Sequence, residues 1–274
     1  MNYPIVFCDY DGTLFDPEAG CVHPRTQKAI ADYRKTGGIF VLTTGRIYSS
    51  ILPRAQKIGL TEGYLVCLQG SVGYRIETGE QLFCHDLSVD EWHGVAALAR
   101  KKGWYFQIYH DTHFYVGEMN PYTRGYADYC GVEPLVAGEP LSTWAEAKDW
   151  TAHKMIVMTP PDEAEERIAL LKKAFPALDI SQSGPMFIEV VNARSGKGNA
   201  VKAMCDLLGV DVGRSVSFGD ATNDNSMLLA AGVGVAMGNA LPDTKRVADV
   251  VCAPVSQDGV ADVLEAIIAG KPIV

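Results

Sequence analysis

The run Ile5-Val-Phe-Cys-Asp-Tyr-Asp-Gly-Thr13 ends an apolar stretch in two carboxylates, Asp9 and Asp11, followed by a glycine. Carboxylates two positions apart suit either a metal site or acid/base work, although Asp-Gly is also ordinary turn chemistry. If strand alternation persists through Asp9, both carboxylates point one way and Tyr10 the other. A second ending of the same kind comes late in the chain, where Val216 to Phe218 runs into Gly219-Asp220-Ala-Thr-Asn223-Asp224. Asp220 adds a hard oxygen ligand, and carboxylates from both segments around one point would repel strongly without a cation among them. Mg²⁺ suits that supply, since it takes one or two carboxylates together with waters and phosphate oxygens. Asn223 and Asp224 also precede the helical run Ser226 to Ala231, so they can cap it, a role compatible with ligation.

A phosphate needs positive or hydrogen-bonding partners as well. Thr44 and Gly45 follow the apolar run Ile39 to Thr43, so a hydroxyl and adjacent backbone N–H groups are available to phosphoryl oxygens. Lys197, in Ser195-Gly-Lys-Gly198, is a compact cation flanked by glycines that let a ligand approach the backbone. It is not a Walker A lysine, because Val191 stands where the first glycine is required and Gly198 where Ser or Thr is required. The glycines of Gly232 to Gly238 have the wrong spacing for a dinucleotide fingerprint.

The elements that must position these groups read as short apolar runs alternating with helical patterns. Ile5 to Cys8 has no polar member, as in a parallel strand buried on both faces. Ala29, Ile30 and Tyr33 fall at helix spacing within Thr26 to Lys35, with Gly37 and Gly38 as a stop. Strands follow at Ile39 to Thr43 and Tyr64 to Leu68. The alternation resumes from Phe187, through Ser215 to Phe218, Val233 to Ala236 and Val250 to Ala253. Between about Phe83 and Gly184 the character changes, for all four tryptophans, half of the tyrosines and five of the six histidines lie there. The expectation is an α/β protein: a Rossmann-like parallel-sheet core formed by 1–82 and 186–274, interrupted by an α/β cap domain at 83–185.

Composition bounds the function. The formal charge of −9 and pI near 5.1 disfavour general attraction to nucleic acid or an anionic membrane. The seven cysteines are odd in number and scattered, the pattern of reduced thiols in a cytoplasmic protein and not of a disulfide frame or a zinc motif. No basic segment leads into an apolar one at the N-terminus, so no signal peptide is expected. The longest apolar stretch, Leu228 to Met237, is too short to span a bilayer.

Taken in order, Asp9-x-Asp11-Gly-Thr-Leu14, Thr44-Gly-Arg46, Lys197-Gly198 and Gly219-Asp220-x-x-Asn223-Asp224 resemble the four motifs of the haloacid dehalogenase superfamily. Gly234 to Ala240 and Asp258 to Ala261 are similar to its Cof-type, sugar phosphatase-like branch, whose large α/β cap matches the insertion. The resemblance implies a Mg²⁺-dependent phosphatase acting on a small phosphorylated metabolite. In it Asp9 would be the nucleophile that forms an aspartyl-phosphate, and Asp11 the acid and then the base. Mg²⁺ would be held by Asp9, the Asp11 backbone carbonyl and Asp220, with Asp224 acting directly or through water. Thr44, Gly45, Asn223 and Lys197 would hold phosphoryl oxygens. The leaving group would be recognised mainly from the cap.

Two positions depart from the family pattern. Gln69-Gly70-Ser71 replaces the common Asn-Gly-Ala, which bears on substrate contacts, and Thr43 replaces an alanine as a neutral packing change. Arg46 can reach substrate or pair with a core carboxylate. In the cap, Tyr109, His110, Asp111, His113, Tyr122 and Arg124 form a polar, aromatic group, with Tyr109 and Arg124 as candidate substrate contacts. His110 and His113 lack an evident third metal ligand, His153 and Lys154 read as a strand start, and Trp92 and Trp104 as core. The same core could serve a phosphomutase or phosphotransferase. A phosphate-responsive binder without turnover would have no use for Asp11.

Overall fold

The computed structural model describes residues 2–138 and 140–273. The chain divides into two compact units, one of Met1–Gly45, Leu52–Phe83 and Gly196–Val274, the other of Arg46–Ile51 and Cys84–Ser195.

In chain order the strands are β1 (Ile5–Cys8), β2 (Ile39–Thr43), β3 (Tyr64–Cys67), β4 (Val72–Arg75) and β5 (Gln81–Cys84). Then come β6 (Phe106–His110), β7 (His113–Val116), β8 (Leu135–Val136), β9 (Lys154–Met158), β10 (Leu178–Gly184) and β11 (Phe187–Asn192), and finally β12 (Ser215–Gly219), β13 (Val233–Ala236) and β14 (Val250–Val251). Two sheets result, an eight-stranded one in the order β14-β13-β12-β1-β2-β3-β4-β5 and a six-stranded one in the order β10-β11-β9-β6-β7-β8.

The first sheet is a parallel α/β core. β14, β13, β12, β1, β2 and β3 run parallel, and β4 turns back antiparallel to β3. All four residues of β1 are 0 % exposed, as a central strand covered on both faces requires. One face, with Ile5, Phe7, Val41 and Val66, packs against Ala200, Val201, Met204 and Cys205 of the helix Lys197–Leu208. Truncating Phe7 there to alanine would cost about 3–5 kcal/mol. The helix Pro24–Lys35 starts with proline at its first turn, a position where the missing N–H costs nothing, and buries Thr26, Ala29, Ile30 and Tyr33. From β1 the chain proceeds to β2 and β3 on one side and, much later, to β12, β13 and β14 on the other. The boundary between β1 and β12 is therefore a topological switch point, where ligands of open parallel sheets bind beyond the strands' carboxyl ends.

The second sheet carries helices over an apolar core of Trp92, Val95, Phe106, Ile108, Met155, Val157, Ile188 and Val190, with Trp104 and Trp150 packed against it. The helix Val89–Lys102 opens on a capping box, in which Ser88 and Glu91 satisfy each other's backbone amides. β11 belongs to this sheet, paired antiparallel to β10 and β9. The expected start of the second core segment at 186 and the division at Gly196 differ for that reason: an apolar strand does not encode which sheet it joins. β3 also stops one residue early, as Leu68 and Gln69 take left-handed backbone angles, φ 53° and 59°.

Candidate active site

The registers line up the ends of three strands. Cys8 pairs with both Phe218 of β12 and Leu42 of β2, so Asp9, Gly219 and Thr43 are the next residues in adjacent strands. Asp9 continues the ladder by donating its N–H to the Phe218 carbonyl at 3.0 Å, and Thr44 donates likewise to Val66 at 2.8 Å. Asp9 and Thr44 are both buried, while Tyr10 turns away and stacks on Phe15.

Asp9, Asp220 and Asp224 come together at this point, each offering an oxygen to a group that could hold a metal ion. The Asp11 side chain is not one of the three. It lies half-buried on the same loop, close enough for its charge to act on Asp220. Gly12, next in that loop, has φ +79°, and a Cβ there would stand 2.5 Å from Asp220 Oδ2, so the loop can pass the carboxylate only with glycine. Thr13 donates its hydroxyl to Asp220 Oδ1 at 2.7 Å, and Asn239 donates to the Gly12 carbonyl at 2.8 Å. These two bonds tie the loop to the segments that follow β12 and β13. Asn239 lies within the family-like segment Gly234 to Ala240, but the sequence assigned it no role. Asp224 is held in turn by Oδ2, which accepts the N–H groups of Asp220 and Ala221 at 3.0 and 3.1 Å. It caps the strand end backwards and does not cap the helix Asn225–Ala230 with its side chain.

Lys197 supplies the positive charge. It is the first residue of the helix Lys197–Leu208, and Gly196 before it has φ +121°. Packing that helix on the sheet drives Lys197 to 1 % exposure, with Nζ 2.6 Å from Asp9 Oδ1 and 2.6 Å from Asp224 Oδ1. Burial alone would lower the ammonium's pKa, but Asp224 and Asp9 outweigh it and hold Lys197 above its ordinary value. Burial pushes the Asp9 carboxyl up, against the pull of Lys197, with Asp224 and Asp220 adding to the rise. Asp220 is pushed up to about 6, first by burial, with Asp224 and Asp11 adding and Thr13 and Lys197 opposing. Three carboxylates against one ammonium leave two negative charges, which a divalent cation would offset.

Asn223 is exposed and donates to Gln69 Oε1 at 3.2 Å, while a Cβ on Gly45 would stand 2.6 Å from Gln69 Nε2. The glutamine at the departing family position thus links the Thr44-Gly45 turn to Asn223. Among the described residues the buried Thr43 hydroxyl has no hydrogen-bond partner.

The remaining candidates fall in the second unit. The Arg46 guanidinium lies 4.8 Å from the Tyr129 ring centre and donates to the Tyr129 carbonyl at 3.2 Å. Tyr109 is fully buried: its hydroxyl donates to Tyr126 at 2.5 Å and accepts from Gln107 at 3.0 Å, and burial raises its pKa. Arg124 is half exposed and paired with Glu133 at 2.7 Å. His110 bonds to the Thr151 carbonyl and stacks on Trp150, and among the described residues neither it nor His113 joins a metal-ligand group.

The sequence profile of the haloacid dehalogenase-like hydrolases matches residues 6–264. An HMP-PP phosphatase of Serratia proteamaculans is 28 % identical over 254 residues, covering 89 % of this chain and 86 % of its own. A 5-amino-6-(5-phospho-D-ribitylamino)uracil phosphatase of Bacillus subtilis is 26 % identical over 261 residues, covering 95 % and 94 %. Among solved structures, a subclass IIB sugar phosphatase of the same superfamily superposes with TM-score 0.80 at 25 % identity, over 96 % of this chain and 98 % of its own. A haloacid dehalogenase-like hydrolase of Bacteroides thetaiotaomicron shares the fold, with TM-score 0.86 at 22 % identity over 97 % and 99 %.

Proposed function

The chain belongs to the haloacid dehalogenase-like hydrolases and is a phosphoric monoester hydrolase, and from that premise we propose that it cleaves phosphomonoesters of small metabolites, sugar phosphates foremost, with Mg²⁺ and an aspartyl-phosphate intermediate. The observation that carries this reading is the cluster at the switch point, where Asp9, Asp220 and Asp224 meet the single ammonium of Lys197. The donors there are oxygens only, the set that Mg²⁺ prefers, and Asp9, the Asp11 carbonyl, Asp220 and Asp224 would hold it. Bound there, Mg²⁺ supplies charge that offsets the substrate dianion.

An oxygen of Asp9 attacks phosphorus and the bond to the ester oxygen breaks. Asp11 gives its proton to the departing alkoxide. Water then attacks the same phosphorus, its proton passes to Asp11, and the Asp9 carboxylate is released with inorganic phosphate. Lys197, already ordered by Asp9 and Asp224, faces the phosphoryl oxygens without reorganising, and Thr44, Gly45 and Asn223 complete their cradle. Arg46 and Arg124 are proposed to govern the ranking of leaving groups, whereas Tyr109, buried with its hydroxyl bonded to Tyr126 and Gln107, is left as scaffold. None of the seven cysteines forms a disulfide, which supports a reducing, cytoplasmic setting.

The test is phosphate release from a panel of phosphorylated metabolites, with and without Mg²⁺. Turnover of sugar phosphates that stops on chelation and returns with Mg²⁺ is expected. Undiminished turnover in chelator would refute the metal assignment, and preference for non-sugar esters the substrate class.

A further inference from the structure

Far from the carboxylate cluster in sequence, the second unit brings together Cys84, Asp86 and His153, a thiol, a carboxylate and an imidazole. Asp86 Oδ1 is approached at 2.5 Å by Cys84 Sγ and at 2.7 Å by His153 Nδ1, and those two atoms are 3.3 Å apart. The other Asp86 oxygen accepts the Thr151 hydroxyl. The backbone is fixed on both sides of the trio: Leu87 and Ala152 exchange N–H···O bonds of 2.8 and 3.1 Å, and Asn192 donates to the Asp86 carbonyl at 2.8 Å. His153 is 4 % exposed, and its buried Nε2 has no hydrogen-bond partner among the described residues.

We propose that Cys84 Sγ, Asp86 Oδ1 and His153 Nδ1 form a binding site for Zn²⁺, with water as the fourth ligand. One sulfur, one nitrogen and one oxygen are a borderline-soft donor set that suits zinc and is poor for Mg²⁺, whereas the core cluster has oxygens only. The two sites therefore select different ions. The three donors converge on one point from two segments already held in register, so little ordering is left for binding to supply. Tetrahedral zinc ligation at about 2.0–2.3 Å would draw Asp86 Oδ1 away from Cys84 Sγ by about 1 Å and from His153 Nδ1 by somewhat less, and leave the Cys84–His153 spacing nearly as it is. Charge and protons balance. The thiol loses its proton to solvent, the imidazole carries its proton on Nε2, and the ion's two charges are matched by the thiolate and the carboxylate. Thr151 orients Asp86 as an outer-shell partner. Such a site ties the segment that enters the second unit to the start of β9.

Co²⁺ titration of the chelator-treated full chain in excess Mg²⁺ tests this, because a thiolate-to-cobalt absorption band reports a sulfur ligand and is silent for the oxygen-only core. The band is expected to saturate at one Co²⁺ per chain, to be bleached by Zn²⁺ and to be lost in Cys84→Ser. Thr151→Val is expected to weaken binding by about 10–100-fold. Absence of the band in the wild type, or its persistence in Cys84→Ser, overturns the proposal. Should Cys84→Ser not fold, Zn²⁺ dialysis against wild type and Asp86→Asn decides the matter: reduced retention supports the site, and equal retention refutes it.

Discussion

Two lysines of this protein are equally buried, at 1 % exposure each, yet their surroundings differ in charge stoichiometry. Lys154, in the second unit, meets one carboxylate, Glu189 at 2.7 Å, and covers the face of Tyr109 at 4.6 Å. That pair is balanced on adjacent strands within one sheet. Lys197, in the first unit, meets two carboxylates at 2.6 Å in a group that includes a third, at the open ends of parallel strands. A balanced buried pair needs no further ion and can often be replaced by apolar residues with little loss. An unbalanced one with excess negative charge needs a cation, the part proposed above for Mg²⁺. Charge stoichiometry, and not burial, separates the chemistry from the scaffold.

The sharpest break between the two regions should come from Asp9→Asn. Phosphate release should fall by a factor on the order of 10⁴ or more, with the fold retained by circular dichroism. Lys197→Ala should lower kcat by about 10²–10³ even at saturating Mg²⁺, since a charge stabilising the transition state is lost. Steady-state kinetics on one substrate would show both effects, and a Lys197→Ala enzyme restored by added Mg²⁺ would erase the distinction drawn here. Lys154→Met should do the opposite, destabilising the protein by about 3–5 kcal/mol while leaving turnover per folded molecule intact. Adding Glu189→Leu should recover most of that loss in denaturant melts, whereas no apolar replacement of Asp224 should rescue Lys197→Ala. Asp220→Ala should raise the Mg²⁺ concentration needed for half-maximal rate by about an order of magnitude or more. A metal titration indistinguishable from wild type would remove Asp220 from the site. The smallest effect is expected from Arg124→Ala, an exposed side chain whose loss should reorder substrates without slowing a generic aryl phosphate; equal losses on every substrate would give it a structural role instead.

Legibility in the sequence also differed between the two regions. β1, β2 and β12 are continuous apolar runs that end in polar groups, so strand and site were marked by one signal. Lys197 was visible as a cation among glycines, but its place as the first residue of a helix was not, because Gly196 and Gly198 read equally well as a loop. The bend at Leu68 and Gln69 leaves no trace, since neither residue type favours positive φ. In the second unit, β11 reads like a core strand because periodicity carries no partner information. Tyr109 looked like a substrate contact by chemistry, yet its hydroxyl is spent on Tyr126 and Gln107. Cys84, Asp86 and His153 are brought together by the Leu87–Ala152 bridge, a long-range pairing that no local spacing announces.

The central claim, that Asp9 receives the phosphoryl group, is tested most directly by acid-quenching a single turnover and analysing the peptide that contains Asp9 by mass spectrometry. A phosphoryl group on Asp9 that appears before inorganic phosphate, decays as phosphate is released and is removed by hydroxylamine is the predicted result. Full turnover with no phosphoryl group on Asp9 at any time, or with the group on another residue, would contradict the account.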